Sequence, residues 1–323
     1  MLDFAHLVDS PGVDVQYFQG SNTTNSTQTW KKPRGCKMVF ALAVGGGASG
    51  GVGINTATTS GGGAGGGSGA QMSVLLPAIF LPDTLFISCG SGGVPPASIT
   101  SGYLGAAGGQ TLVTISQDSS VVSNDVLLQP LGGLAGAAAA TATAGGTAGA
   151  AASQSGGTLL TQRGFLTDLG GSPGSGGTTT AGVGTSIGFP GANGSGYGMV
   201  CGGAGGGAAG ASSFNGSSVI SYNVSTGNVL SQSIFPSVIG GLAASGATPA
   251  GRGQDGIIVK NYFMNYGGTG GGGASATAGG IAGAGGNGAP GCGGGGAGGS
   301  TTTANTLARP GAGGPGFVYI ISW

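Results

Sequence analysis

Residues 29–51 read TWKKPRGCKMVFALAVGGGASGG. Within this stretch Met38, Phe40, Leu42 and Val44 alternate with the smaller Val39, Ala41 and Ala43. A period of two predicts a β-strand with the large side chains on one face. The glycine tract Gly45–Gly53 follows at once. A strand running straight into glycine is the unit from which the rest of the chain is read.

The same unit recurs. Strand-like runs lie at Met72–Leu76, Thr84–Ser88, Thr111–Ser116, Val126–Leu128 and Gly256–Lys260, and the last is Phe317–Trp323, where Phe317, Tyr319, Ile321 and Trp323 share a face. Between them lie the glycine tracts Gly45–Gly53, Gly61–Gly69, Gly132–Gly157, Gly202–Gly210 and Gly267–Gly299. Residues 1–29 form a polar leader rich in Asn, Thr and Ser, so the first strand is expected near residue 40. Residues 30–323 form the glycine-rich domain, with insertions near 158–200 and 211–239.

Glycine supplies 81 of 323 residues, against an ordinary share of about 7%. Such a composition often marks a flexible linker. Here 39% of residues are apolar and the bulky ones are clustered, which argues for a folded chain. Long helices are not expected, because few strong helix formers other than alanine are present. In Gly267–Gly299, steps of three give Gly267, Gly270, Gly273, Ala276, Gly279, Ala282, Gly285, Gly288, Gly291, Gly294 and Ala297, all Gly or Ala. Three residues per turn is the repeat of the polyproline II helix, which makes no internal hydrogen bonds. Its amides must then pair with neighbours. The expected fold is mainly β, with sandwich-like strands, a bundle of extended left-handed glycine helices of the polyglycine II type, and little α-helix. The tract should fold back at turns such as Ala289-Pro290-Gly291. Collagen is excluded, because the strict Gly-X-Y repeat and the high imino-acid content are missing.

The residues offer little chemistry. Charged residues make up 5% of the chain, the acids are all aspartate, and the net charge is zero. No field for nucleic acid arises from that balance. The one histidine, His6, lies in the leader and is read as structural or exposed. The aspartates are scattered beside turn formers, no Gly-Lys pair opens a phosphate loop, and GxGxxG matches are accidental at this composition. Lys31, Lys32, Arg34 and Lys37 hold half the positive charge and are read as solvating the approach to the first strand. Cys36, Cys89, Cys201 and Cys292 form no CxxC pair, so no metal site is expected and the thiols are read as reduced and buried. Val126–Ala152 is uncharged, but Gln129, Pro130 and several threonines interrupt it, so no membrane insertion is expected. The opening MLDFAHLVDS lacks the basic start of a signal peptide, and the sequons at Asn22, Asn25, Asn193, Asn215 and Asn223 carry little weight without one. The chain is read as a non-enzyme without a cofactor. What remains is a binding surface: Tyr197, Phe214, Tyr222, Phe235, Tyr262, Phe263 and Tyr266 collect in irregular segments among Ser, Asn and Gly. They either contact a receptor, cap the glycine bundle or face another subunit.

The opening TWKKPRGCKMVFALAVGGGASGG resembles the Trp-x-x-Pro-x-Gly, strand and glycine-run start of the glycine-rich domain of bacteriophage tail fibres. GGGAGGGSGAQMSVLLPAIFLPDTLFISCGSGG resembles the next unit of that domain, and the close through GAGGNGAPGCGGGGAGG to GFVYIISW resembles its glycine-dense end and aromatic final strand. The resemblance covers most of residues 29–323 and implies a virion surface protein, made in the host cytoplasm and displayed on the particle. It further implies a tail fibre, spike or tip adhesin that binds a host receptor, glycan or outer-membrane protein. The leader would attach to other virion proteins, and a homotrimer is favoured by analogy with fibres. Two other readings stand beside it: a structural virion component without receptor affinity, and, more remotely, an ice-binding protein.

Overall fold

The computed structural model describes residues 12–21, 27–55, 60–95, 103–117, 125–139, 167–168, 200, 202–203, 205–206, 240–245, 248–259, 264–265, 267–268, 270–272, 281–301 and 307–323. Among them the protein is mainly β, with two antiparallel sheets and a single 3-10 turn, Ala78–Phe80.

Met38–Val44 is a strand, as its alternation predicts, and it lies at the centre of the larger sheet. With β1 (Asp14–Gln19), β2 (Thr27–Lys31), β3 (Met38–Val44), β4 (Gln71–Pro77), β8 (Thr167–Asp168) and β11 (Phe317–Ser322), the order of that sheet is β1-β11-β3-β4-β8. The second sheet adds β5 (Thr84–Ser88), β6 (Leu112–Thr114) and β7 (Val126–Leu128) in the order β2-β5-β6-β7. A separate hairpin pairs β9 (Ile258–Val259) with β10 (Met264–Asn265).

The first strand is not near residue 40, as expected, because β1 and β2 precede it. Both begin in the polar leader, whose composition hides them. β1 finds its partner in β11, with Asp14 opposite Ser322 and Gln19 opposite Phe317. That pairing spans nearly the whole chain, and such a contact overrides local propensity.

One buried cluster lies between the sheets. Val39, Ala41 and Ala43 of β3 join Phe18, Met72, Val74, Leu76, Val318 and Ile320 from their own sheet. Trp30, Leu85, Ile87, Val113 and Leu128 meet them from the other. The large set singled out by alternation therefore does not form this core. Trp30, fully buried, and its neighbours fill the space, so the central strand presents its small residues there. The larger face is not wholly exposed either: Leu42, Val44, Phe317 and Ile321 are buried on it. Alternation defines two faces, and here both are covered at the centre.

Beyond the strands the glycine segments run on in the same direction, and their backbone hydrogen bonds repeat every three residues. The N–H groups of Gly45, Ala48, Gly51 and Ile54 donate to Ala70, Gly67, Ala64 and Gly61. Those of Gly46, Ser49 and Val52 donate to Gly109, Ala106 and Tyr103, and those of Gly47 and Gly50 to Gly314 and Gly311. The carbonyls answer in the same rhythm. Gly46, Ser49 and Val52 accept from Gly133, Gly136 and Ala139, while Ala48, Gly51 and Ile54 accept from Gly294, Ala297 and Ser300, and Gly47 accepts from Gly93. One segment thus touches six others.

Extending this pairing lays the segments out in three rows. The central row is 103–110, 45–54, 291–300, 267–272 and 240–245. On one side lie 131–139, 61–70 and 202–206, and on the other 90–94, 307–316, 281–289 and 248–256. The expected long tract Gly267–Gly299 is folded accordingly. Its second reversal is the anticipated turn: Cys292 N–H donates to Ala289 O at 2.8 Å, with Pro290 ahead of Gly291 at φ 74°. This is the residue pattern of a type II turn.

The single Gly/Ala register expected along that tract is not what packing requires. A Cβ added at Gly293, Gly294, Gly296 or Gly298 would overlap the carbonyls of Gly66, Gly311, Gly63 or Gly272 respectively. A segment enclosed on all sides needs glycine in every register. Small residues are admitted where gaps remain: Ala48, Ser49 and Val52 are fully buried. Ser49 also accepts the N–H of Ala106 on its Oγ at 2.6 Å.

Gly296→Ala should therefore destabilise the protein by at least about 1–3 kcal/mol, the usual cost of overpacking, with loss of urea midpoint as the readout. Leu104→Ala, at a side chain 60% exposed, should change it by no more than about 0.5 kcal/mol.

Candidate functional site

The register fixes which way each segment points. β3 enters the bundle at Gly45, and segment 45–54 runs away from the sheets to Ile54. Segment 61–70 returns to β4 at Gln71. Segments 90–94, 131–139, 202–206, 240–245, 267–272 and 291–300 run outward like 45–54, whereas 103–110, 248–256, 281–289 and 307–316 run back. All the outward segments empty at one end, far from the sheets. There the chain leaves at 55–60, 95–103, beyond 139, beyond 206, at 245–248, at 272–281 and at 301–307.

What is described of this end is tightly tied. Ile54 N–H donates to Gly61 O and Ser300 N–H to Ile54 O, both at 3.1 Å. Asn55 forms a parallel bridge with Ser300. Ser245 and Thr248 exchange hydrogen bonds of 3.2 and 2.9 Å across a tight reversal. The Arg309 guanidinium donates to Pro95 O at 3.0 Å. The short connections carry threonine, serine, asparagine and alanine, as in NTATTS (55–60) and STTTANT (300–306). No charged residue occurs in 55–60, 95–103, 245–248, 272–281 or 300–306. This end is the candidate site: a hydrogen-bonded base joined to connecting sequence that is uncharged and rich in hydroxyl groups.

Tyr197, Phe214, Tyr222, Phe235, Tyr262, Phe263 and Tyr266, the aromatics expected to form contacts, lie outside the described residues, as does the insertion at 211–239. Of the insertion at 158–200 the structure describes Thr167–Asp168, which pairs with β4, and the buried Val200. The β9–β10 hairpin, which brackets Tyr262, springs from segment 248–256 where that segment returns toward the sheets. An aromatic group of which the sequence reading gave Phe317 and Tyr319 but not Tyr17 lies on the outer face of the larger sheet. Tyr17 lies 4.7 Å from Tyr319 and 5.9 Å from Phe317, between ring centres. Phe317 and Tyr319 were legible in the final strand; Tyr17 was hidden with β1.

Among the described residues no group of three or more His, Cys, Asp or Glu is placed to hold a metal ion. No helix there is long and apolar enough to cross a membrane. Among the described residues the displaced ionisable groups are Tyr17, Tyr319 and Cys89, each pushed upward chiefly by burial, with Tyr17 raised further by its proximity to Tyr319 and Cys89. Cys89 is buried in the sandwich core and its thiol is pushed up to about 12 from an ordinary 9.0. The basic group also has a structural task, since Lys32 Nζ pairs with Asp83 at 3.0 Å and donates to Leu81 O at 2.8 Å.

Because the folded protein holds the Cys89 proton more tightly than the unfolded chain, stability is fully present below pH 9. It should fall as pH rises from about 9 toward 12, by up to about 1.4 kcal/mol per pH unit. Urea midpoints measured across that range should decline, and Cys89→Ala should flatten the decline. Comparison with protein-family models and with curated protein sequences found no match.

Proposed function

We propose that the chain is a surface protein of a bacteriophage particle, a tail fibre, spike or tip adhesin, which holds host-contacting turns at one end of a stiff glycine platform. The glycine segments on this reading are polyglycine II helices, left-handed with three residues per turn. The partners of each segment recur every third residue, as that helix requires. Positive φ is confined to Gly12, Gly35 and Gly291 among the described glycines, which suits the negative φ of that conformation.

The observation that carries the functional reading is the common exit of the outward segments at the end remote from the sheets. The described base of this end is stitched by backbone bonds, and a rigid base lowers the entropic cost of binding by the sequence it carries. Threonine, serine and asparagine in the connecting sequences supply donors and acceptors without charge, suited to hydrogen bonding a glycan or an exposed protein loop. The leader enters at the other end, since Asp14 opens β1 opposite Ser322. That polarity suits attachment to the particle at one end and contact with the host at the other. A trimer of such chains is the assembly favoured by analogy with fibres.

The test is binding of purified full-length protein to a panel of bacterial strains. The protein should bind at least one strain. Replacing residues 56–59 or 302–306 by Gly-Ser sequence, or deleting within 211–238, should reduce that binding without lowering the melting temperature. A protein that stays on particles but binds no strain is a structural virion component instead.

A further inference from the structure

The end of the sandwich away from the glycine bundle has a different chemistry. β4 stops at Pro77 and the chain passes through Ala78–Phe80 before β5 begins at Thr84. Ile79 and Phe80 on this turn are 86% and 75% exposed, more than any other large apolar side chain described. Full burial of such a side chain is worth about 1.5–3 kcal/mol, so leaving two in water at one point calls for a reason.

The turn beneath them is pinned. Ala78 N–H donates to Lys37 O at 2.8 Å, and Leu81 N–H to Ala78 O at 3.2 Å. Lys32 reaches under the turn: its Nζ donates to the Leu81 and Ala78 carbonyls at 2.8 and 3.4 Å and pairs with Asp83 at 3.0 Å. Its backbone N–H donates to Asp83 O at 2.9 Å. The polar groups of the turn are engaged inward while Ile79 and Phe80 project outward. At the same end, Trp323 pairs with Met38, which pairs with Pro77; Trp323 is 43% exposed. Lys31, Arg34 and Lys37 are also exposed there, whereas the charge of Lys32 is matched by Asp83.

We propose that this turn is a docking plug, with Ile79 and Phe80 entering an apolar socket on a different virion protein whose rim carries carboxylates facing Lys31, Arg34 and Lys37. The inference rests on the reading of the chain as a virion protein. A second copy of the chain is the poorer occupant, because two plugs meeting would bring their cations together. An anionic membrane is poorer too: a socket can place its carboxylates against Lys31, Arg34 and Lys37 alone, whereas a continuous headgroup layer would also face the Asp83 side chain, which is 93% exposed.

The probe is phage particles assembled without this chain, to which purified full-length protein is added. Wild-type protein should load onto them, with loading weakened by salt. Ile79→Ser with Phe80→Ser should reduce loading at least about tenfold, as should the combined Lys31→Glu, Arg34→Glu and Lys37→Glu. Melting temperature and cell binding should stay unchanged in both, since these side chains are exposed and remote from the bundle turns. Loading of the variants equal to wild type overturns the plug while leaving the cell-binding reading intact. Phe80-dependent binding to phosphatidylglycerol vesicles, or Phe80-dependent self-association, overturns the choice of partner. Wild-type protein that fails to load at all removes the virion reading together with the plug.

Discussion

The structure depends on amide-to-carbonyl pairing between neighbouring extended segments that have almost no side chains between them. Each such bond has a small net worth, about 1 kcal/mol. Ordering each residue costs about 1–2 kcal/mol of backbone entropy, and glycine has more to lose than any other residue. A lone segment would not hold. Segment 45–54 holds because six neighbours fix it at once, and the absence of Cβ atoms is what lets their backbones approach. Cooperation among lateral contacts replaces the hydrophobic burial that usually drives a fold.

The sandwich supplies what the bundle lacks. Glycine carries no side-chain identity, so nothing in a tract of it specifies which neighbour to choose. The strands do specify this, because β3, β4, β5, β6 and β11 each continue into, or out of, a glycine segment. Registry fixed by Trp30, Met72, Leu85 and Ile320 in the core is handed on to the segments beyond. The hydrophobic core acts as the template, and the glycine rows extend it.

This division explains what was legible in the sequence. Alternation at Met38–Val44 and Phe317–Trp323 marked strands where strands exist, the last ending one residue earlier at Ser322, and Val126–Leu128 was read to the residue. The turn at Pro290-Gly291 was legible because proline and glycine fit successive positions of one turn type. β1 and β2 were not, since DVQYFQ and TQTWK are polar and acquire their strand character from β11 and β5. The inward face of β3 was not legible either, because the small residues won it only once Trp30 had filled the opposite side. The row arrangement was beyond reach of composition. The candidate site followed from that arrangement rather than from the aromatics expected to mark it.

The three-residue repeat constrains how such a chain can change. One residue inserted inside a buried segment would turn every later amide toward the wrong neighbour, and two would do no better. Three would restore the bonding and lengthen that segment by a whole step. The end connections are not bound by that arithmetic, because they lie outside the triplet pairing of the described segments. Evolution can therefore rewrite the tips in any length, while the interior tolerates only whole triplets.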